Sequence, residues 1–153
     1  MKRMTIMLVA LALSLLAVTP AFAAANPKFM PKFTNATFDS PNLEVDFKMS
    51  GLGSFAEVDI SVTATATRTD ACVNNGGNIP ADPKKTDTTA QVSASGTFPV
   101  SNGQVTGSLT VMPPPTSLSC PPGQTATLLS ISYTNVVISG AGVSHSISGT
   151  FGP

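Results

Sequence analysis

The chain has 153 residues, with eight Lys and Arg balancing eight Asp and Glu, and only 10% of its residues are charged. Such a balance excludes the basic surface that nucleic acid or an anionic membrane demands. Two cysteines and one histidine are too few for a zinc tetrad within one chain.

Residues 1–23 read as a signal peptide. Lys2 and Arg3 give a positive start, residues 4–18 are an apolar run, and Ala21-Phe22-Ala23 is an A-x-A cleavage signal. Cleavage is expected after Ala23, with Ala25 as the alternative. The apolar run is shorter than the roughly 20 residues that a membrane span needs, and no second apolar segment follows. No membrane span is therefore expected, and the product is expected to be secreted, extracellular or in the cell envelope. No cysteine lies at the cleavage site to carry a lipid. Residues 24–153 are one domain's worth of chain. Removing Lys2 and Arg3 leaves six Lys and Arg against eight Asp and Glu, a net charge of −2. Thr, Ser, Val, Gly, Pro and Ala dominate, which favours strands and turns over helix.

In chain order, residues 24–33 read as an extended leader and residues 34–38 as a short first strand. Asn35-Ala36-Thr37 within it is an N-x-T sequon, an acceptor only in a eukaryotic secretory pathway. After the turn at Asp39-Ser40-Pro41-Asn42, residues 43–49 alternate strictly. Leu43, Val45, Phe47 and Met49 share one face and Glu44, Asp46 and Lys48 the other. Residues 56–73 alternate likewise, and Gly51-Leu52-Gly53-Ser54 joins the two. Pairing them as a hairpin sets Met49 against Ala56, Phe47 against Val58, Val45 against Ile60 and Leu43 against Val62, apolar on apolar throughout. On the outer face it sets Lys48 against Glu57 and Asp46 against Asp59. Beyond Ala66 the inward phase meets Arg68 and Asp70, which predicts either a bulge near Ala66 or a place for Arg68 at the rim.

Residues 72–87 read as a long loop and residues 88–98 as the next strand. Asn102-Gly103 is the strongest turn signal in the chain. It predicts a second hairpin with Val100 opposite Val105, Phe98 opposite Gly107, Gly96 opposite Leu109 and Ala94 opposite Val111. Pro99 beside that turn implies a sheet edge. Met112-Pro113-Pro114-Pro115 opens a crossing loop. Residues 126–139 are apolar on both phases, as a central strand would be. Gly140-Ala141-Gly142 turns into a last strand over 143–151. The sum is an all-β antiparallel β-sandwich of about seven strands, Ig-like in outline but without a core tryptophan.

Cys72 and Cys120 follow an export signal, so a disulfide is the default pairing. Closing a loop of about 48 residues stabilises by about 4 kcal/mol through the entropy of the unfolded chain.

Cys72-Val73-Asn74-Asn75-Gly76-Gly77-Asn78, Val92-Ser93-Ala94-Ser95-Gly96-Thr97-Phe98 and Leu118-Ser119-Cys120-Pro121-Pro122-Gly123-Gln124 together resemble a group of short exported bacterial β-proteins. Ser132-Tyr133-Thr134-Asn135-Val136 and Gly149-Thr150-Phe151 extend the resemblance over most of the mature chain. It implies export and a β-fold, and brings no activity with it.

Chemistry is sparse. His145 shares a phase with Val143 and Ile147 and reads as a partly buried strand residue. No G-x-S-x-G elbow accompanies it. Glu44, Asp46, Glu57 and Asp59 would share one outer face of the first hairpin. There they are a solvated surface, a carboxylate pair for a small hydrolase, or a calcium site through Asp46 and Asp59. Asn74, Asn75, Gly76, Gly77 and Asn78 form the candidate binding loop. It is either a recognition loop or anion nest, or a glycine-rich turn held by Cys72. No cofactor is implied. The expected role is a non-enzymatic exported module, binding or envelope-associated, whose partner is a protein or glycan at the cell surface. The alternatives are a secreted inhibitor or effector presenting residues 74–87, and a small hydrolase.

Overall fold

The computed structural model describes residues 25–80 and 83–153. The expected signal peptide and the expected cleavage after Ala23 lie outside these residues. The described chain forms eight strands and a single 3-10 turn. β1 (Lys28–Phe29), β2 (Asn35–Asp39), β3 (Asn42–Ser50) and β6 (Gln104–Val111) make one antiparallel sheet. β5 (Lys85–Pro99), β4 (Glu57–Asn74), β7 (Gln124–Gly140) and β8 (Val143–Ile147) make the other, in that order. The two stack as an antiparallel β-sandwich around one core. Leu43, Val45, Phe47 and Met49 from β3 are fully buried there against Ile60, Val62, Ala64 and Ala66 from β4. No helix among the described residues is long and apolar enough to cross a membrane.

The expected first hairpin does not form. β3 and β4 lie in opposite sheets, with β3 paired to β6 from Leu43↔Val111 to Ser50↔Gln104 and β4 paired to β5 and β7. The apolar sets that matched on paper meet face to face across the sandwich instead of edge to edge. The expected Lys48–Glu57 and Asp46–Asp59 neighbours are therefore on opposite outer surfaces.

The second hairpin is only a corner. Asn102 and Gly103 adopt φ of 51° and 69°, and Ser101 and Gln104 exchange two backbone bonds of 2.8 and 3.0 Å, the tight turn that Asn-Gly favours. The next bond in such a ladder would need an N–H from Pro99, which has none. The strands then part into opposite sheets. Their predicted neighbours still touch across the core. A Cβ on Gly107 would lie 2.6 Å from Phe98, whose ring stacks edge-on to Phe47 with centroids 5.0 Å apart. Pro99 does end an edge strand, as its place beside the turn implied.

The leader is not a free extension. Asn26 N–H donates to Gly51 O at 2.9 Å, β1 pairs with Met49–Ser50, and Phe29 is buried. Gly51 is required there: its φ is +78° and a Cβ would sit 1.9 Å from the Asn26 carbonyl oxygen. Pro31–Phe33 then form the 3-10 turn, which separates β1, inside the expected leader, from β2, which is the expected first strand shifted by one residue. Asn35 of the sequon is exposed on β2 opposite Asp46.

β7 is central, between β4 and β8, and it carries two bulges. Thr69 pairs with Ser130 but Asp70 with Leu128, so Leu129 is an extra residue. Thr63 pairs with Val137 but Thr65 with Thr134, so Asn135 and Val136 together face Ala64. Asn135 takes φ +52° at the second bulge. Each extra residue turns the alternation over. Leu128 points inward, then Ile131 and Tyr133, then Val136 and Ile138. Two changes of phase, together with the central position, account for a strand that reads as apolar on both sides.

Candidate functional site

The two sheets are of unequal length. β4 runs for 18 residues and β3 for nine, so one end of the long sheet has no sheet over it. A strap of residues 112–120 covers that end. Pro114 and Leu118 are the buried residues of this strap. Thr88 and Ser117 hydroxyls lie 3.2 Å apart, and Lys84 Nζ donates to Ser119 O at 2.9 Å. The disulfide Cys72–Cys120, with Cα atoms 5.6 Å apart, fixes the end of the strap as expected.

This strap explains Arg68. The inward phase of β4 runs unbroken through Ala66, Arg68, Asp70 and Cys72, all buried. Neither a bulge near Ala66 on β4 nor a rim position is found. Arg68 Nε donates to Asp70 Oδ2 at 2.8 Å and Nη2 to Oδ1 at 2.6 Å, a two-pronged pair. Nη1 donates to the Pro114 carbonyl in the strap. Asp70 is 1% exposed, so its charge is compensated entirely by this one arginine. Polar residues stand on the inward phase here because their partner is the irregular backbone of the strap, whose carbonyl needs a donor.

At the far end of this region lies the candidate loop. Asn74, Asn75, Gly76, Gly77 and Asn78 are all exposed, and Ile79 is 52% exposed beside them. Gly77 N–H donates to Asn74 O at 2.8 Å and Asn74 N–H to Asn78 O at 3.1 Å, with Gly77 at φ +76°. An anion nest needs consecutive amides turned outward. Those of Asn74 and Gly77 are used inside the loop, which closes as a turn. Cys72 N–H donates to Lys84 O at 3.0 Å. The open loop is thus shorter than expected, because β4 extends to Asn74 and β5 begins at Lys85.

The four outer carboxylates do not gather. Glu44 and Asp46 lie on the β3 sheet, Glu57 and Asp59 on the β4 sheet. Glu44 accepts from Ser108 Oγ at 2.8 Å and Asp59 from Thr97 Oγ1 at 2.6 Å. The expected shared face, and with it the Asp46–Asp59 calcium site and the paired carboxylates of a hydrolase, is overturned by the separation of the two strands. No group of three or more His, Cys, Asp or Glu able to hold a metal occurs among the described residues. His145 is half-buried opposite Ile138, 6.5 Å from the Phe29 ring.

Sequence reasoning gave Tyr133 no role. It is fully buried, and its hydroxyl donates to Pro41 O at 2.8 Å, tying β7 to the turn between β2 and β3. Burial pushes this hydroxyl above its ordinary value of 10, and the Arg68 charge offsets part of the rise. A raised folded-state value gives stability that is complete below pH 10 and is lost as pH rises through the folded value. Tyr133 is the only tyrosine, so an absorbance titration reads it alone. The expected midpoint lies above 10, and Tyr133→Phe should flatten the alkaline loss of stability while costing about 1 kcal/mol at neutral pH. A midpoint at or below 10 would contradict the burial argument.

No family profile matches the chain, and no curated protein or solved structure matches it significantly.

Proposed function

We propose that this is an exported, non-enzymatic sandwich that acts by contact through the strapped end of its long sheet. The observation that carries the reading is the exposed turn at residues 74–78. It is braced at its base by Cys72–Cys120 and by the Lys84–Ser119 contact. A braced, uncharged loop with three asparagine amides and an exposed isoleucine suits a protein or glycan surface, because little conformational freedom is lost on binding. The apolar run, the A-x-A signal and the disulfide support secretion or residence in the cell envelope. The strand order, with β3 between β6 and the β1–β2 pair and with β5–β4–β7–β8 opposite, supports an immunoglobulin-like class of sandwich. The resemblance to short exported bacterial β-proteins fits the same reading.

The test uses the full chain produced in a bacterial host. The expected product is residues 24–153, oxidised, in the periplasm or medium, by intact mass. Its retention on cell envelopes should disappear when residues 75–79 are replaced by Gly and Ser at equal length with the β-sheet circular dichroism unchanged. Cytoplasmic protein with residues 1–23 still attached would remove the export reading. Undiminished retention of the loop variant would remove the loop from it.

A further inference from the structure

β5 leaves one long edge open. Its 15 residues pair with β4 without a bulge from Glu57↔Pro99 to Ala71↔Lys85. Just beyond the ends of that ladder Val100 N–H donates to Ala56 O and Cys72 N–H to Lys84 O. In an unbroken antiparallel ladder alternate residues bond to the same neighbour. Even-numbered β5 residues therefore bond to β4, and the N–H and C=O of Asp87, Thr89, Gln91, Ser93, Ser95 and Thr97 point away from it. No described strand pairs with that side.

Natural sheets blunt such an edge with charge, proline, a bulge or shortness. Residues 88–98 contain no charge and no proline, and the ladder is regular. The other edges are shorter or broken: β8 has five residues, β6 eight, and β1 and β2 are separated by the 3-10 turn. The β5 edge also complements itself. With a two-fold axis at Val92, the outward-bonding residues pair as Asp87 with Thr97, Thr89 with Ser95, and Gln91 with Ser93 of the second copy, and only the end pair Lys85–Pro99 is short of a donor, because Pro99 has no N–H. The pleat agrees, because in this register inward side chains meet inward ones, Val92 on Val92 and Ala90 on Ala94. No like charges face each other.

We propose that the mature chain pairs with a second copy of itself, antiparallel along β5, doubling the four-stranded sheet into one continuous sheet. Each copy then satisfies the backbone groups that the other leaves open, and both candidate loops remain free. The proposal does not depend on the role assigned to those loops.

Sedimentation of residues 24–153 should show a concentration-dependent dimer. Ser93→Pro removes an outward N–H without touching the β4 ladder, and it should raise the dissociation constant at least about tenfold. Ser93→Lys, which keeps the backbone donor, should weaken the dimer in the same direction. Val92 faces its own copy at a non-hydrogen-bonded position, where Cα atoms approach within disulfide reach. Val92→Cys should therefore give a covalent dimer linked through residue 92 by peptide mapping. A wild-type chain that stays monomeric at millimolar concentration overturns the proposal. So does a dimer that survives both Ser93 changes with no link through Val92→Cys.

Discussion

Asp70→Asn should lower the free energy of unfolding by about 3–5 kcal/mol, measured by chemical denaturation at neutral pH. The change is nearly isosteric but leaves the Arg68 guanidinium buried without its counter-charge. Arg68→Met should cost a similar amount for the converse reason, because Asp70 is 1% exposed and has no other cation beside it among the described residues. The double change Arg68→Met with Asp70→Leu should cost less than either single one. Burying two apolar side chains carries no charge to desolvate, whereas half an ion pair does. A double variant as unstable as the sum of the two would mean that the charges are solvated and that the strap does not seal them.

Cys72→Ser should cost about 4 kcal/mol and lower the melting temperature by roughly 10–20 °C in a domain of this size. The strap should respond first. Amides of Met112 and of residues 116–120 should exchange faster than those of β3 and β6, which keep their own ladder. Combining Cys72→Ser with Asp70→Asn should give less than the sum of the two losses, because both act by releasing the same segment. Strictly additive losses, with strap exchange unchanged, would show that the disulfide works only by restricting the unfolded chain.

The sequence disclosed the elements better than their neighbours. β3, β4, the corner at Asn102-Gly103, the edge position of Pro99 and the Cys72–Cys120 bond could all be read from alternation, turn chemistry and cysteine number. Partners could not. Matching Phe47 with Val58, or Phe98 with Gly107, tests only that apolar faces meet. A residue beside another in one sheet and a residue opposite it across a core satisfy the same test. What separated the cases at the second corner was the missing N–H of Pro99. The inward phase of Arg68 does not require an apolar neighbour. The strap supplies a carbonyl instead, and nothing in the alternation of β4 announces where residues 112–120 will lie. The candidate loop was legible as a turn from Asn75-Gly76-Gly77. Its brace was not, since Lys84 and Ser119 meet only after the chain has crossed the sandwich.

The two extra residues of β7 give the strand built-in slack. Leu129 and Asn135 are positions that the β4 ladder skips. Deleting either one closes its bulge and leaves both flanks on the surfaces they already face, because the pairs on each side fall back into regular register. Deleting a regularly paired residue far from a bulge would instead turn one flank over. Related chains should therefore differ in length at these two positions, singly or together.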